Sequence, residues 1–313
     1  MNELHVVFGT GPLGLAVMRE LRRRGKHVRM INRSSRVRFE KDLHTEVGGI
    51  DAADPARTRE VCEGAAAVYH CIGLPYPRWT EFPSIAAGIV EGAASSGARL
   101  VYADNLYAYG SVDKPMTEDL PLNATTKKGR LRAGIAQSLM NAHNAGKVRV
   151  AVGRGSDFFG PFATDAAMMG SRVFGRALAG KSAQAVGDPD RLHTYTFIDD
   201  FGKALVTLGE REAALGKAWH VPSAPATTTR SFVEKVYGQL GKRAKLSTAP
   251  RFAIALLARF DENVRELREM LYQFERDFVM DSHRFESTFG AQPTSLDESI
   301  RLTLDWYRSR SSA

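Results

Sequence analysis

The chain opens with an apolar run that leads directly into a cluster of glycines. Leu4 to Phe8 predicts a buried strand, the turn Gly9 to Gly14 reads Gly-Thr-Gly-Pro-Leu-Gly, and Leu13 to Arg24 has the apolar spacing of a helix. A strand, a glycine-rich turn and a helix in this order predict the first βα unit of a parallel sheet. No other feature of the sequence restricts the fold as much.

The spacing of these glycines also carries a chemical meaning. Gly9 permits the tight turn, Gly11 lets the backbone approach a pyrophosphate, and Gly14 allows close helix packing. The start of the helix offers unpaired N–H groups and a partial positive charge to an anion. The alternative is a plain strand-to-helix turn, but the strand-turn-helix context favours a dinucleotide site. Its predicted members are Gly9, Thr10, Gly11, Pro12, Leu13 and Gly14.

The first half of the chain continues to alternate short apolar runs with helical patterns. This alternation predicts an α/β fold, a Rossmann-type doubly wound parallel sheet with helices on both faces. We predict a dinucleotide-binding domain in residues 1–160, to which 190–222 return. Residues 161–189 and 223–313 are predicted to form a smaller, mainly helical lobe that binds the substrate in the cleft between the two. The helices predicted there are Ala166 to Leu178, Thr229 to Leu240 with Thr229 as N-cap, Phe252 to Leu257 and Val264 to Phe274.

Composition narrows the possible partners. The net charge of +8 comes from 43 Lys and Arg against 35 Asp and Glu, and the basic residues lie in short scattered clusters. No basic run with interleaved aromatics is present, so we predict no nucleic acid partner, and a phosphorylated small molecule explains the charge more simply. The spacing of Cys62 and Cys71 fits no metal or redox motif. We expect a cytoplasmic protein without a bound metal or a membrane span.

The residues after the second predicted strand indicate which dinucleotide binds. An NAD site usually has an acidic residue there, which accepts hydrogen bonds from the adenosine ribose. This chain has a basic and hydroxyl-rich segment instead, and arginines attract a 2′-phosphate that an acid would repel. A solvated basic loop is the alternative. The segment predicts NADP(H) in preference to NAD(H), with Asn32, Arg33, Ser34 and Arg36 as its binding residues.

Several further segments, in order and spacing, resemble the short-chain dehydrogenase/reductase superfamily. The resemblance is to its NAD-dependent epimerase/dehydratase group in the extended or atypical form. Val101 to Gly110 resembles the fifth-strand motif that ends in Tyr-Gly, Arg154 to Pro161 the segment passing the nicotinamide, and Phe197 to Asp200 a later Asp-Asp motif. Dimers are common in this family, so a homodimer is the assembly expected by analogy. The resemblance implies cofactor contacts at Asp51, Cys71, Ile72, Gly73, Gly155, Ser156 and Phe158.

The chain departs from this family at the positions that carry catalysis. Asn105 stands where the family has Ser or Thr, and the YxxxK pair is missing, with Lys128 and Arg132 at the aligned positions. In the family the tyrosine exchanges a proton with the substrate oxygen while the lysine lowers its pKa and holds the ribose. We predict that Arg132 holds the ribose and that Lys128, if desolvated beside it, acts as acid or base. The alternative is a solvated basic helix start.

Tyr107 is the other candidate for the missing proton donor. It follows Asn105 at the carboxyl end of the fifth strand, where residues of such sheets line the ligand crevice. The amide of Asn105 would then donate to a carbonyl or a developing oxyanion. Tyr76, Arg78, Trp79, Tyr107 and Tyr195 are the predicted substrate contacts. Aromatic packing of Tyr107 and a rigid surface loop around Arg78 are the alternatives.

Two functions of different classes follow from this sequence. The first is an NADP(H)-dependent oxidoreductase or epimerase/dehydratase-like enzyme that acts on a small carbonyl or hydroxyl substrate, sugar-like compounds included, with a non-standard proton donor. The second is an NADP(H)-binding regulator or scaffold without catalysis. Loss of the YxxxK pair favours the regulator or scaffold, whereas the cleft loop and the nearly complete resemblance of the C-terminal region to the family favour the enzyme.

Overall fold

A seven-stranded parallel sheet forms the centre of the molecule. The computed structural model describes residues 3–36, 45–165, 167–249 and 258–311. The seven strands are β1 (Leu4–Phe8), β2 (His27–Asn32), β3 (Thr45–Gly49), β4 (Ala65–His70), β5 (Arg99–Asp104), β6 (Arg149–Arg154) and β11 (Lys217–His220). They lie in the order β11-β6-β5-β4-β1-β2-β3, and every neighbouring pair is parallel. The predicted doubly wound sheet is confirmed.

Helices cover both faces of this sheet. On one face α1 (Pro12–Arg23) packs against α6 (Ile198–Glu210) so closely that a Cβ at Gly202 would lie 2.7 Å from the backbone of Ala16. The other face carries α2 (Pro55–Cys62), α3 (Phe82–Ser96) and α4 (Lys127–Asn144). None of the helices in the described part of the chain is long and apolar enough to span a membrane.

The smaller lobe combines short strand pairs with helices around an aromatic core. Its strands are β7 (Asp157–Phe159), β8 (Ala183–Val186), β9 (Leu192–His193), β10 (Tyr195–Phe197), β12 (Thr227–Thr228) and β13 (Leu246–Ala249). Its helices are α5 (Arg176–Leu178), α7 (Thr229–Gly238), α8 (Glu262–Leu267), α9 (Tyr272–Glu275) and α11 (Leu296–Ser311). The helix α10 (His283–Phe289) instead packs on the main sheet, where Phe285 and Phe289 contact Trp219 of β11. Phe159, Phe174 and Phe232 pack together in the aromatic core of the smaller lobe, with ring centroids 5.0 to 6.2 Å apart.

The local predictions differ from the structure at several places. Of the helix predicted over Ala166 to Leu178, only a π-helical turn from Ser171 and α5 are helical among the described residues. The cap of α7 is Thr228, whose hydroxyl accepts from the N–H of Ser231, and not Thr229. The helix predicted over Val264 to Phe274 is divided into α8, a 3-10 turn and α9. The helix predicted over Phe252 to Leu257 lies outside the described residues.

The strand β3 was not predicted, for a physical reason. Its sequence, Thr-Glu-Val-Gly-Gly, lacks the apolar run that marks a buried strand, because β3 lies at the edge of the sheet and, among the described residues, pairs with β2 alone. A Cβ at Gly48 would lie 2.9 Å from the side chain of Ile31 on that neighbour. Packing against β2 therefore decides the extended conformation of this segment more than its own strand propensity does.

Candidate active site

The glycine loop joins β1 to α1 in the geometry that a pyrophosphate requires. Gly9 has a φ of +109°, and a Cβ there would lie 2.6 Å from the carbonyl oxygen of Cys71. A Cβ on Gly14 would lie 1.9 Å from the carbonyl oxygen of Gly9, whereas one on Gly11 would meet nothing within 4 Å. The start of α1 has no side-chain cap. Open space beside Gly11 and uncapped amides of α1 fit a bound diphosphate.

This loop lies at the point where the strand order reverses. Strands β2 and β3 extend the sheet on one side of β1, and β4 lies on the other, so the loops after β1 and β4 diverge there. The loop after β4 is tied to β1 because the N–H of Cys71 donates to the carbonyl oxygen of Phe8 at 2.8 Å. Ligands of such sheets bind in the crevice at this switch point. The predicted residues Ile72 and Gly73 belong to this loop after β4.

Asn32 organises the loop that follows β2. Its Nδ2 donates to Thr10 Oγ1 at 2.9 Å and to the carbonyl oxygen of Arg36 at 2.8 Å, and its Oδ1 accepts from the N–H of Ser34 at 2.9 Å. This side chain thus connects the glycine loop with the basic segment. Asp51 follows β3, and its Oδ1 accepts from the N–H of Ala53 at 3.1 Å. The predicted adenosine-binding residues therefore lie on neighbouring loops.

Arg33 and Arg78 share one carboxylate at the mouth of this crevice. Nη2 of Arg33 lies 2.7 Å from Glu81 Oε2, and Arg78 binds both oxygens of Glu81 at 2.6 and 2.7 Å. Hydrogen bonds from Arg78 and then Arg33 lower the pKa of Glu81 to about 2. Sequence reasoning assigned Arg33 to the cofactor and Arg78 to the substrate. The structure brings the two arginines together through Glu81.

Asn105 and Tyr107 form a tight turn at the carboxyl end of β5. The Oδ1 of Asn105 accepts from the N–H of Tyr107 at 3.0 Å, so the side chain of Asn105 stabilises the turn. The hydroxyl of Tyr107 lies 3.2 Å from that of Tyr76, and its ring stacks on Trp79 with centroids 5.9 Å apart. Burial, followed by the neighbouring Tyr76 and Asp157, raises the pKa of Tyr107 well above its usual value. Tyr107 therefore keeps its proton near neutrality.

Lys128 lies in the first turn of α4 and forms two ion pairs. Its side chain is 4% exposed, and Nζ lies 2.5 Å from Glu266 Oε2 and 2.6 Å from Glu269 Oε1. Nζ also lies 4.9 Å from the centre of the Tyr76 ring. The side chain of Lys128 is thus buried, which is the condition on which its proposed acid-base role depended. Two carboxylates of the smaller lobe surround its ammonium group, so its visible role is to hold that lobe against α4.

Arg132 is buried in an aromatic cage one turn further along α4. Its guanidinium carbon lies 4.3 Å from the ring centre of Phe82 and 4.6 Å from that of Trp79. Its Nη1 donates to the hydroxyl of Tyr102 at 2.5 Å and lies 3.7 Å from Asp104 Oδ1. Although burial works against the charged form, Tyr102 and Asp104 keep the pKa of Arg132 above its usual value. Arg132 is therefore a permanent buried cation below the cleft.

A hydrogen-bonded network continues from this cation through the sheet. Asp104 Oδ2 accepts from Nε of Arg154 at 3.3 Å, and Nη1 of Arg154 donates to the hydroxyl of Tyr109 at 2.7 Å. That hydroxyl lies 2.7 Å from Nε2 of His220, whose Nδ1 lies 2.8 Å from the carbonyl oxygen of Asp281. One carboxylate is thus placed between two buried guanidinium groups.

The predicted nicotinamide segment forms the transition from β6 to β7. The N–H of Ser156 donates to Thr196 Oγ1 at 3.0 Å, and a Cβ at Gly155 would lie 2.5 Å from the ring of Phe201. Phe158 is half-buried. Tyr195 was predicted to contact substrate, but its ring packs in the aromatic core and its hydroxyl lies 2.7 Å from Thr229 Oγ1. This contact keeps the hydroxyl of Tyr195 within the smaller lobe.

The adjacent Asp199 and Asp200 point in different directions. Asp199 pairs with Arg19, and Asp200 accepts from the N–H and the hydroxyl of Thr294 at 2.7 and 2.8 Å. Both interactions join distant segments of the chain. Within the described ranges, no three His, Cys, Asp or Glu side chains form a group that would hold a metal ion.

Four residues near Tyr107 were not predicted as site residues from the sequence: Asp157, His193, Tyr272 and Gln273. His193, which was interpreted as structural, has Nε2 2.8 Å from Asp157 Oδ2 and Nδ1 3.2 Å from the carbonyl oxygen of Gln273. Tyr272 precedes Gln273 on α9. Asp157 lies within the segment that carried the family resemblance, so its acidic side chain was a readable signal. No sequence signal indicated Tyr272 and Gln273, because the position of α9 depends on how the smaller lobe folds back over the sheet.

The sheet, its switch point and the glycine loop define a Rossmann-type fold. A model of the NAD dependent epimerase/dehydratase family matches residues 6–221, and the chain therefore belongs to that family. A search of curated proteins found no significant match.

Solved structures agree with this assignment at the level of the fold. An epimerase from Methanothermobacter thermautotrophicus is similar with a TM-score of 0.83 at 16% identity, over 99% of this chain and 94% of that one. The dTDP-glucose 4,6-dehydratase of Bacillus anthracis, solved with NAD, has a TM-score of 0.82 at 14% identity, over 99% and 98%. The UDP-glucose 4-epimerase of Thermotoga maritima, solved with UDP-glucose, has a TM-score of 0.79 at 16% identity, over 98% and 99%.

Proposed function

We propose that this protein is an NADP(H)-dependent oxidoreductase or epimerase/dehydratase-like enzyme for a small carbonyl or hydroxyl substrate. The observation that carries the proposal is the glycine loop, where open space beside Gly11 faces the uncapped start of α1. Family membership supports a nicotinamide dinucleotide as the cofactor. The basic segment after β2 supports its phosphorylated form, because Arg33 lies where an adenosine 2′-phosphate would be bound.

Tyr107 is the residue that we assign to proton transfer. Bound nicotinamide would supply or accept a hydride, and a hydroxyl group near the reacting oxygen must then exchange the proton. The raised pKa of Tyr107 suits donation to a strongly basic alkoxide better than removal of a proton from an alcohol. Tyr76, whose pKa burial raises to about 12, lies within hydrogen-bond distance as the next member of a proton path. The protonated phenol of Tyr107 is the form that carbonyl reduction requires.

A second function, an NADP(H)-binding regulator without catalysis, is favoured by one observation. The resemblance aligns Lys128 and Arg132 with the family's catalytic pair, yet Lys128 is ion-paired with Glu266 and Glu269 and Arg132 is caged by aromatic rings. Turnover therefore depends on Tyr107. A protein that binds NADPH and reduces no carbonyl compound fits the second function.

The cofactor is tested by fluorescence titration with NADPH and NADH. We expect Arg33→Ala to weaken NADPH binding by about tenfold and to leave NADH binding nearly unchanged. A tenfold loss of NADPH affinity is small for a hydrogen bond between charged groups. We expect no more because Arg33 is half-exposed and already paired with Glu81. Arg301→Ala is the matched control, since Arg301 on α11 is also exposed and binds two carboxylates. Equal loss for both dinucleotides would contradict the assignment to the 2′-phosphate.

The proton donor is tested with a panel of small aldehydes and ketones, followed by NADPH oxidation. For any compound that is reduced, we expect Tyr107→Phe to lower kcat by about a hundredfold or more, with little change in NADPH affinity. Tyr237→Phe removes a phenol hydroxyl of the smaller lobe and serves as the control. Undiminished kcat in Tyr107→Phe would remove Tyr107 from catalysis, and an inactive wild type that binds NADPH would support the regulator.

A further inference from the structure

The carboxylate of Glu81 joins two loops that lie on opposite sides of β1. Arg33 directly follows β2, whereas Arg78 and Glu81 belong to the 3-10 turn Tyr76–Glu81 in the loop after β4. Strands β2 and β4 flank β1 in the sheet, so the contact between Arg33 and Glu81 connects the two sides of β1 at its carboxyl end. Ligands of such sheets bind at this edge, and the residue type after β2 reads the 2′ position of the adenosine ribose.

The two guanidinium groups converge on one oxygen atom of Glu81. Nη2 of Arg33 and Nη2 of Arg78 each lie 2.7 Å from Glu81 Oε2, and Nε of Arg78 lies 2.6 Å from Glu81 Oε1. The two Nη2 atoms are therefore no farther apart than twice the length of one such hydrogen bond. Guanidinium groups bind carboxylates and phosphates alike, because both anions present several oxygens to their planar fork of donors. The structure thus contains a formed anion site, which binds a carboxylate of the same chain.

This anion site is accessible from solvent. The side chains of Arg33, Arg78 and Glu81 are 49%, 43% and 34% exposed. A phosphate group can therefore reach both guanidinium groups from water, without any opening of the protein core. Ion pairs at this level of exposure contribute little to stability, so little is lost when the arginines exchange the carboxylate for another anion.

The charges decide which ligand competes with Glu81. Hydrogen bonds from Arg78 and then Arg33 lower the pKa of Glu81 to about 2, so this carboxylate stays charged at neutral pH. A phosphate monoester carries a charge of about −1.5 to −2 at pH 7 and three strong acceptor oxygens, which makes it a stronger partner for two arginines than one carboxylate is. A ribose hydroxyl has no charge. Competition with Glu81 would therefore affect a 2′-phosphorylated dinucleotide and leave its unphosphorylated counterpart unaffected.

We infer that Arg33 and Arg78 together bind the 2′-phosphate of NADP(H), and that Glu81 is an internal competitor for this phosphate. Glu81 then makes the preference for NADP(H) over NAD(H) smaller than the two arginines alone would produce. Arg78, which the sequence predicted as a substrate contact, is assigned here to the cofactor. The inference rests on the proposed function, because it concerns the cofactor of the same site.

The test is fluorescence titration of the full chain with NADPH and with NADH, which differ only in the 2′-phosphate. We expect Glu81→Gln to bind NADPH about tenfold more tightly than the wild type does, because glutamine keeps the shape of the side chain and removes the competing charge. Arg78→Ala should bind NADPH about tenfold more weakly. Neither variant should change NADH affinity. In an Arg33→Ala/Arg78→Ala background, Glu81→Gln should have no effect on NADPH affinity, since its gain requires the arginines.

Glu91→Gln is the matched control. Glu91 on α3 also binds two cations, Lys147 and Arg59, and its side chain is 28% exposed. Hydrogen bonds from Lys147 and Arg59 likewise lower its pKa. Its replacement removes the same charge from the same face of the sheet, away from the crevice, and should leave the affinities for both dinucleotides unchanged.

Four outcomes would overturn the inference. Weaker NADPH binding by Glu81→Gln would mean that Glu81 positions the arginines for the phosphate. Weaker NADH binding would mean that Glu81 accepts a hydrogen bond from the ribose. An equal gain in the Arg33→Ala/Arg78→Ala background would reduce the effect to general charge. Unchanged NADPH affinity in Glu81→Gln, with normal binding by the wild type, would contradict the inference alone, whereas a wild type that binds neither dinucleotide would contradict the proposed function as well.

Discussion

Asp104→Asn is expected to lower the free energy of unfolding by about 3–5 kcal/mol, the cost of breaking a buried ion pair. Asp104 is 4% exposed and lies between the guanidinium groups of Arg132 and Arg154, at 3.7 and 3.3 Å. Asparagine preserves the shape but removes the charge, so two buried cations would remain without an anion. Both arginines keep a pKa above the usual value partly because of Asp104, and neither can lose its proton in compensation.

The measurement is urea unfolding of the variant and of a matched control. Asp305 also lies between two arginines, Arg301 at 2.9 Å and Arg308 at 3.2 Å, but its side chain is 48% exposed. Asp305→Asn should therefore cost less than about 1 kcal/mol, as surface ion pairs do. Similar losses in the two variants would show that burial does not determine the cost, and would contradict the role assigned to the Asp104 network.

The second large effect is a loss of stability in weak acid. His5, His70 and His220 are buried, and burial lowers their pKa values to about 4, about 3 and about 4. Below the unfolded pKa of about 6.5, the unfolded chain binds protons that the folded chain does not, so folding becomes less favourable as pH falls. Three such groups give a slope of up to about 4 kcal/mol per pH unit between about pH 6 and about pH 4.

The hydrogen bonds of two of these histidines agree with a neutral folded form. Nδ1 of His70 accepts from the N–H of Ile72 at 3.4 Å, which leaves it without a proton. His220 faces the carbonyl oxygen of Asp281 on one side and the hydroxyl of Tyr109 on the other, which suits one protonated and one free nitrogen. Burial raises the pKa of Glu118, so its protonation in weak acid favours the folded chain. This single carboxyl opposes the effect of three histidines.

Urea unfolding at a series of pH values measures this slope. We expect His70→Asn, which retains an acceptor for the N–H of Ile72, to remove about a third of the slope. His283→Gln is the control, because His283 is exposed at the start of α10 and should leave the slope unchanged. A wild type whose stability does not fall between about pH 6 and about pH 5 would contradict the assignment of neutral buried histidines.

The sequence by itself determined most of the Rossmann-type sheet and its glycine loop. Turn chemistry and apolar periodicity are local, and for that reason Gly9, Gly14 and the order of the main strands were readable without a structure. Where the local signal was weak, at the edge strand β3 and in the broken helix from Val264 to Phe274, packing against distant segments decided the conformation.

Only the tertiary structure decided how the residues of the cleft are used. Lys128 pairs with carboxylates more than 130 positions away, and Arg78 binds Glu81 and so lies beside Arg33. His193 contacts both Asp157 and the carbonyl oxygen of Gln273 because segments 36 and 80 positions away converge on it. The identity of a side chain determines which kinds of bond it can make. The partner depends on which distant segments converge, and no local pattern in the sequence contains that information.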